Sequence, residues 1–224
     1  MKRGLVLLSG GLDSSILLAL YKVHPDLNMK ALFVDYGQRN IQEKRAAIFI
    51  SSFLKVELIT FSMNLIKFFK KEHVMFNQSS KIPKQELNQA NMQIVKIPGR
   101  NLLFISIAHF VAANLDMDFI AFGALKGSMF PDCKPGFFQA AKTLVYLADD
   151  LHVSLEAPHI QYSKWEAVKL ANRLVPNFPL EMTYSCYSGE KIHCGICSTC
   201  RARREAFKLA EVIDKTGYQN DKIL

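Results

Sequence analysis

Residues 4–20 read Gly4-Leu5-Val6-Leu7-Leu8-Ser9-Gly10-Gly11-Leu12-Asp13-Ser14-Ser15-Ile16-Leu17-Leu18-Ala19-Leu20. An apolar run of strand length meets a glycine pair, and apolar residues then resume without a breaker. The stretch is therefore a buried strand, a tight turn and a helix. Gly10 and Gly11 have no Cβ, so the backbone can turn there with positive φ and expose successive N–H groups. A helix opening near Ser14 adds the positive end of its dipole. Together these features make an anion cradle, expected to run from Leu8 through Ser9, Gly10, Gly11, Leu12, Asp13, Ser14, Ser15, Ile16 and Leu17 to Leu18. A bare Gly-Gly could equally be a ligand-free connection, but serines on both sides and an embedded Asp13 argue for phosphate.

Two common phosphate loops do not fit: there is no Gly-x-x-x-x-Gly-Lys-Ser/Thr, and Gly-x-Gly-x-x-Gly does not follow this strand. Ser9-Gly10-Gly11-Leu12-Asp13-Ser14 resembles the Ser-Gly-Gly-x-Asp-Ser loop of the N-type ATP pyrophosphatases, the PP-loop family, which split ATP between the α and β phosphates. The resemblance implies that the loop grips the β,γ-pyrophosphate and that Asp13 holds Mg²⁺. A departing pyrophosphate needs fixed donors and a metal where its charge develops.

Outward from the loop, residues 29–35 read as a second buried strand. Strand, helix and strand at this spacing imply a right-handed parallel crossover. Asp35 then stands at the carboxyl end of its strand, where open α/β sheets gather ligands, with a turn or helix cap as its other reading. Further strands are expected over 56–61, 118–122 and 153–157, and helices over 39–53, after Asn101 and over 138–149. Residues 73–96 turn polar without apolar periodicity and read as a long excursion, a lid over the site.

Pro98-Gly99-Arg100-Asn101 leads into an apolar helix. Asn101 reads as an N-cap or a ligand contact. Arg100 has no capping role, and a guanidinium there suits phosphate or carboxylate. The loop from Lys126 to Phe138, with two prolines and two glycines, reads as a pocket wall or an ordinary structured loop. Cys133 within it reads as a buried thiol, since no histidine base adjoins it. Ser163 and Glu166 have capping-box spacing, which leaves Lys164 for a phosphate or carboxylate.

The chain has 224 residues, enough for one substantial core plus a small appendage. The N-terminal apolar run is too short and too polar for a signal peptide or a membrane span, so a cytoplasmic protein is expected. Against 20 acidic residues there are 28 Lys+Arg, a net charge of +8 that suits ATP or tRNA. The lysines are scattered, and nucleic acid is not favoured by charge alone. Four of the five cysteines crowd at Cys186, Cys194, Cys197 and Cys200, which is metal-site spacing rather than a disulfide framework. Zn²⁺ held by four thiolates is the favoured reading, with an iron–sulfur cluster as its rival. His193 is read as a bystander, and Arg201, Arg203 and Arg204 as a solvated face or an anion or subunit contact.

Ser9–Ser14, Pro98–Asn101 with the helix that follows, Pro131-Asp132-Cys133, Ser163-Lys164-x-Glu166 and Thr183-Tyr184-Ser185-Cys186-Tyr187 occur in an order similar to the 7-cyano-7-deazaguanine synthases of queuosine biosynthesis. The similarity runs to Tyr218. It implies an α/β fold with a doubly wound, mainly parallel sheet of the adenine nucleotide alpha hydrolase kind over residues 1–180. A small helical zinc-binding subdomain over 181–224 and a homodimer are implied with it. It further implies that ATP adenylates a deazapurine carboxylate, that ammonia displaces AMP, and that another ATP drives dehydration of the amide to a nitrile. Asp13, Arg100 and Lys164 are then expected to be catalytic, and Arg100, Asn101 and Asp132 to bind substrate.

The chain departs from the family pattern in the loop near the Pro-Asp-Cys element. Lys126 replaces an acid, Lys134 an arginine and Gly136 a glutamate, while Tyr184 replaces a tryptophan. These changes touch the acceptor side, so a paralogue acting on a tRNA base, another carboxylate or a protein is the alternative. A nucleotide-sensing zinc module without turnover is a third reading.

Overall fold

The computed structural model describes residues 1–69, 73–77, 79, 80, 88 and 91–220. Five strands form one parallel sheet: β1 (Lys2–Leu7), β2 (Leu27–Asp35), β3 (Glu57–Ser62), β4 (Phe119–Phe122) and β5 (Ser154–Glu156). Their order is β3-β2-β1-β4-β5, so β1 is central. The chain leaves β1 toward β2 and β3, then crosses back to place β4 on the other side. This reversal opens a crevice at the carboxyl ends of β1 and β4, where open parallel sheets bind ligands.

Among the described residues, six α-helices cover the sheet: α1 (Leu12–Lys22), α2 (Ile41–Phe53), α3 (Arg100–Asn114), α4 (Pro135–Tyr146), α5 (Lys164–Leu174) and α6 (Ser198–Ala210). Side chains alternate along β1. Val6 packs with α1, α5 and α6 on one face, while Leu5 and Leu7 pack with α3 and α4 on the other. Burial on both faces explains why the strands read as continuous apolar runs. Ala206, Phe207 and Ala210 of α6 share the core of the first face, so the segment beyond residue 180 is packed into the sheet domain. Among the described residues, no helix is long and apolar enough to cross a membrane.

Several expectations shift. α1 opens at Leu12 rather than near Ser14, with Gly11 as its N-cap at φ −75°, so Gly10 alone takes positive φ, at +77°. α4 begins at Pro135, where the ring suits the first helical turn. Within the excursion, Val74, Met75, Phe76, Met92 and Val95 are buried, because its two ends dock on the core under α3. The rest of the expected lid, residues 78, 81–87, 89 and 90, lies outside the described residues.

Candidate active site and four-cysteine centre

The loop after β1 is held by its own hydroxyls. Ser9 N–H donates to Ser14 Oγ at 3.1 Å, the two serine hydroxyls meet at 3.0 Å, and Gly11 N–H donates to Ser9 Oγ at 3.2 Å. A Cβ on Gly10 would overlap the Glu43 carbonyl oxygen and lie 2.8 Å from Ala47 N, so its absence lets α2 press directly on the loop. Across the crevice, a Cβ on Gly123 would lie 2.7 Å from Ser14 Cα. The chain leaving β4 therefore closes on the opening of α1 only because that residue is glycine.

Two more elements converge here. Ser163 and Glu166 form the expected capping box: Glu166 N–H donates to Ser163 Oγ, and Ser163 N–H to Glu166 Oε2 at 2.7 Å. The box fixes the first turn of α5 and sends the Lys164 ammonium onto Asp13 Oδ1. His159, in the segment before α5, is buried close to Asp13, and its Nδ1 has no partner among the described residues. Burial lowers its pKa against the pull of Asp13 and keeps the imidazole neutral. Asp35 accepts from Lys44 Nζ at 2.9 Å and from Gly37 N–H at 3.4 Å, which is the turn role rather than an open carboxylate.

At the N-terminus of α3 the expected N-cap is not Asn101. Gly99 holds that position, and the Asn101 backbone N–H is met from outside by Asp132 Oδ2 at 3.3 Å. Asn101 Nδ2 reaches Asp132 O at 3.1 Å and Cys133 Sγ at 3.3 Å. The side chain is thus a latch between α3 and the 3-10 turn Pro131–Cys133. Cys133 is half-buried rather than fully buried, and desolvation pushes its thiol up.

Arg100 lines a small pocket with Lys96, Phe130, Asp132 and Tyr187. Tyr36, Glu43 and Tyr187 lie near enough to act on its charge. Burial alone would lower its pKa, but Tyr36 and Glu43 outweigh that and raise it. Burial also pushes the Glu43 carboxyl up to about 7 and the Tyr36 and Tyr187 phenols up to about 12. The pocket brings the Arg100 guanidinium and Lys96 together beside Asp132, an arrangement suited to a small anionic group.

The four cysteine sulfurs converge to within 4.8 Å of one another. Cys186 and Cys197 are 3.9 Å apart and Cys194 and Cys200 4.0 Å apart. A tetrahedron with metal–sulfur bonds of about 2.3 Å has edges of about 3.8 Å, so the residues present fit one tetrahedral ion. Backbone N–H groups of Ser188 and Cys194 donate to Cys186 Sγ, both at 3.3 Å, as thiolates require. His193 is no ligand: its Nε2 accepts from Ser185 N–H at 3.1 Å and its ring packs between Tyr184 and Tyr218.

Arg203 overturns the reading as a solvated face or anion contact. It is fully buried, donating to Thr216 Oγ1, Thr183 Oγ1 and Leu180 O at 2.7–3.0 Å, and it pins α6 to the chain before the cysteines. Arg204 stacks over the Tyr218 ring with its guanidinium 3.9 Å from the centroid. Tyr184 N–H donates to Gly10 O at 2.8 Å, so the cysteine segment is docked on the phosphate loop itself.

The family described as "Queuosine biosynthesis protein QueC" matches residues 3–211. The chain belongs to the QueC family. It is 33% identical over 227 residues to a 7-cyano-7-deazaguanine synthase of Thermoplasma volcanium, covering 97% of this chain and 91% of the relative. A 7-cyano-7-deazaguanine synthase of Coxiella burnetii is 35% identical over 230 residues, covering 97% and 98%. In fold the chain is similar to a predicted subunit of tRNA methyltransferase from Methanocaldococcus jannaschii. The TM-score is 0.52 at 14% identity, over 99% of this chain and 94% of that one.

Within this QueC-family chain, Tyr36, Glu43 and Gly123 lie against the loop or the Arg100 pocket without having been singled out in the sequence, whereas Tyr184 and Tyr187 stand in the Thr183–Tyr187 motif. Gly123 ends a strand, Glu43 opens an ordinary amphipathic helix, and Tyr187 follows a metal ligand. The one available signal was Glu43, an acid placed where its helix turns toward the loop.

Proposed function

We propose that the protein uses ATP to convert 7-carboxy-7-deazaguanine and ammonia into 7-cyano-7-deazaguanine. The observation that carries this reading is the meeting of Asp13 and Lys164 at the mouth of a Ser-Gly-Gly-x-Asp-Ser loop, in a chain whose close relatives are named for that nitrile. A carboxylate is inert toward ammonia until one oxygen becomes a leaving group. Attack of that oxygen on the α phosphorus of ATP expels pyrophosphate and gives an acyl adenylate. Ammonia then expels AMP to leave the amide, and a second ATP activates the amide oxygen so that its loss as AMP yields the nitrile.

In this scheme the unpaired N–H groups of the first turn of α1 receive the pyrophosphate. Lys164 leaves Asp13 for the incoming phosphates, and Arg100 holds the acceptor carboxylate in the pocket shared with Asp132. Asn101 keeps the Asp132 turn in register with α3. Mg²⁺ on Asp13 would neutralise phosphate charge. Zn²⁺ on Cys186, Cys194, Cys197 and Cys200, with all four positions filled by thiolates, would be structural. The segment 181–224 then differs from 1–180 in role, fastening the loop and pocket from behind. The active species is proposed to be a cytoplasmic homodimer.

A changed acceptor is the second reading, favoured by one observation. Gly136 leaves open space where the family has a glutamate, with no atom within 4 Å of an added Cβ. Incubation with Mg-ATP, ammonium and 7-carboxy-7-deazaguanine, followed for both nitrile and AMP, separates the readings. Nitrile without tRNA supports the first, and AMP without nitrile supports the second.

A further inference from the structure

We infer that a groove on the outer face of α5 binds a single-stranded nucleic acid, stacking a base on Trp165 and holding phosphates with Lys169 and Arg173. The inference goes beyond the reaction proposed above and is independent of which acceptor that reaction uses.

The groove has a volume of about 220 Å³ and is lined by Tyr162, Trp165, Glu166, Lys169, Leu170 and Arg173. Its floor is fixed: Trp165 and Leu170 are partly buried and pack against the core of the first sheet face, into which α5 buries Ala167, Val168 and Ala171. Its rim is open, with Tyr162 40% exposed and both Lys169 and Arg173 exposed. Among the described residues, no cation lies over the Trp165 ring. The groove begins beside the catalytic mouth, because Lys164, the residue before Trp165, rests on Asp13. Lys126 N–H donates to Tyr162 O at 2.8 Å, which ties another exposed lysine to the same end.

An ordinary solvated helix face does not explain this arrangement. Lys169 and Arg173 stand four residues apart on α5, a spacing at which like charges destabilise a helix. Arg173 lies in the last turn and suits the dipole, whereas Lys169 in mid-helix gains little from it. Glu166 does not bond to either cation. Its Oε2 accepts from the N–H and the hydroxyl of Ser163, and neither Lys169 nor Arg173 has an ion-pair partner among the described residues.

Two unpaired cations beside two aromatic rings match the chemistry of a nucleotide strand, whose bases stack on any aromatic face while its phosphates track basic side chains. From Trp165 to Arg173 the helix rises about 12 Å. That is about three steps of a stacked strand at about 3.4 Å each, more than a lone nucleotide would use. A membrane surface fits less well. An interfacial helix turns its broad apolar face outward, whereas α5 turns Ala167, Val168 and Ala171 into the core. The net charge of +8 draws a polyanion to the chain in general, and the groove gives it a place to dock.

Trp165 is the only tryptophan in the chain, so its emission reports the groove directly. Octauridylate added to the full metal-loaded chain at low salt is expected to quench that emission saturably. Lys169→Gln combined with Arg173→Gln should weaken binding about tenfold and flatten the log–log salt dependence by about 1.4, as loss of two single-strand phosphate contacts requires. Lys169→Arg combined with Arg173→Lys keeps both charges and should bind within about threefold of wild type. Both double variants should melt with wild type, since the altered side chains are exposed. Anisotropy of fluorescein-labelled octauridylate supplies a second readout. Binding by anisotropy with unchanged Trp165 emission, binding unaffected by the double glutamine variant, or no binding at all overturns the inference. Quenching by AMP with the affinity of the octamer would make the groove a mononucleotide site, and quenching by phosphatidylserine vesicles but not by the octamer would make it a membrane face. Either result overturns the inference as well.

Discussion

The Lys164 ammonium rests on Asp13 Oδ1, joining the first turn of α5 to the first turn of α1 across 151 residues of sequence. Both groups therefore stand where two helix N-termini meet, and an anion arriving there finds a lysine already aimed at the loop. Each side chain is about a third exposed, so solvent screens the pair.

Removing either partner should damage chemistry far more than folding. A screened pair contributes at most about 1 kcal/mol to stability, whereas a lost contact to developing phosphate charge costs about 100-fold in rate. Lys164→Met and Asp13→Asn are expected to lower AMP formation by about that factor, with melting temperatures close to wild type. AMP formation within threefold of wild type would remove both residues from the mechanism.

Glycines at the site should separate by what a methyl group meets. Gly10→Ala adds a Cβ at φ +77° that overlaps the Glu43 carbonyl, and is expected to cost more than about 2 kcal/mol in urea unfolding. Gly136→Ala, in the first turn of α4 with open space around it, should stabilise by a few tenths to about 1 kcal/mol. Equal effects at the two positions would contradict the packing described.

Glu43 predicts a pH dependence of stability. Its carboxyl is raised from 4.5 to about 7 by burial, so between those values the folded chain keeps a proton that the unfolded chain has lost. The contribution is complete below about pH 4.5 and is lost as pH rises through about 7. Wild type should therefore lose stability relative to Glu43→Gln between about pH 5 and pH 8, read as the gap between their urea midpoints. A gap independent of pH would show that Glu43 is not desolvated.

The cysteine centre should hold one zinc per chain by elemental analysis, with iron below about a tenth. Stripping the metal, or Cys200→Ser, should lower the melting temperature by roughly 5–15 °C, since a bound ion stabilises only the folded state. Because Tyr184 donates to Gly10 O, ATP affinity should fall with it. Stoichiometric iron, or a melting temperature indifferent to chelation, would contradict the tetrahedral reading.

Much of this fold is legible in the chain because its strands are buried on both faces, which writes apolar runs such as Leu5–Leu8 directly into sequence. The phosphate loop and the cysteine quartet are legible for a related reason: each packs its chemistry into one short stretch. The acceptor pocket is assembled differently. Asn101 finds Asp132 31 residues away, so the pairing has no local signature. Arg203 misleads for the opposite reason, since it sits among other arginines on a polar helix and its burial depends on Thr183 and Thr216. The excursion hides Val74, Met75 and Phe76 because three apolar residues at one end of a polar stretch carry no period.

The central claim is that ATP is cleaved at the Ser9–Ser14 loop to activate a carboxyl oxygen. Mass spectrometry of the nucleotide released from 7-carboxy-7-deazaguanine carrying ¹⁸O in its carboxylate, with Mg-ATP and ammonium, tests it directly. The account predicts two AMP per nitrile, each bearing one ¹⁸O, alongside pyrophosphate. Unlabelled AMP, or ADP with orthophosphate, would contradict it.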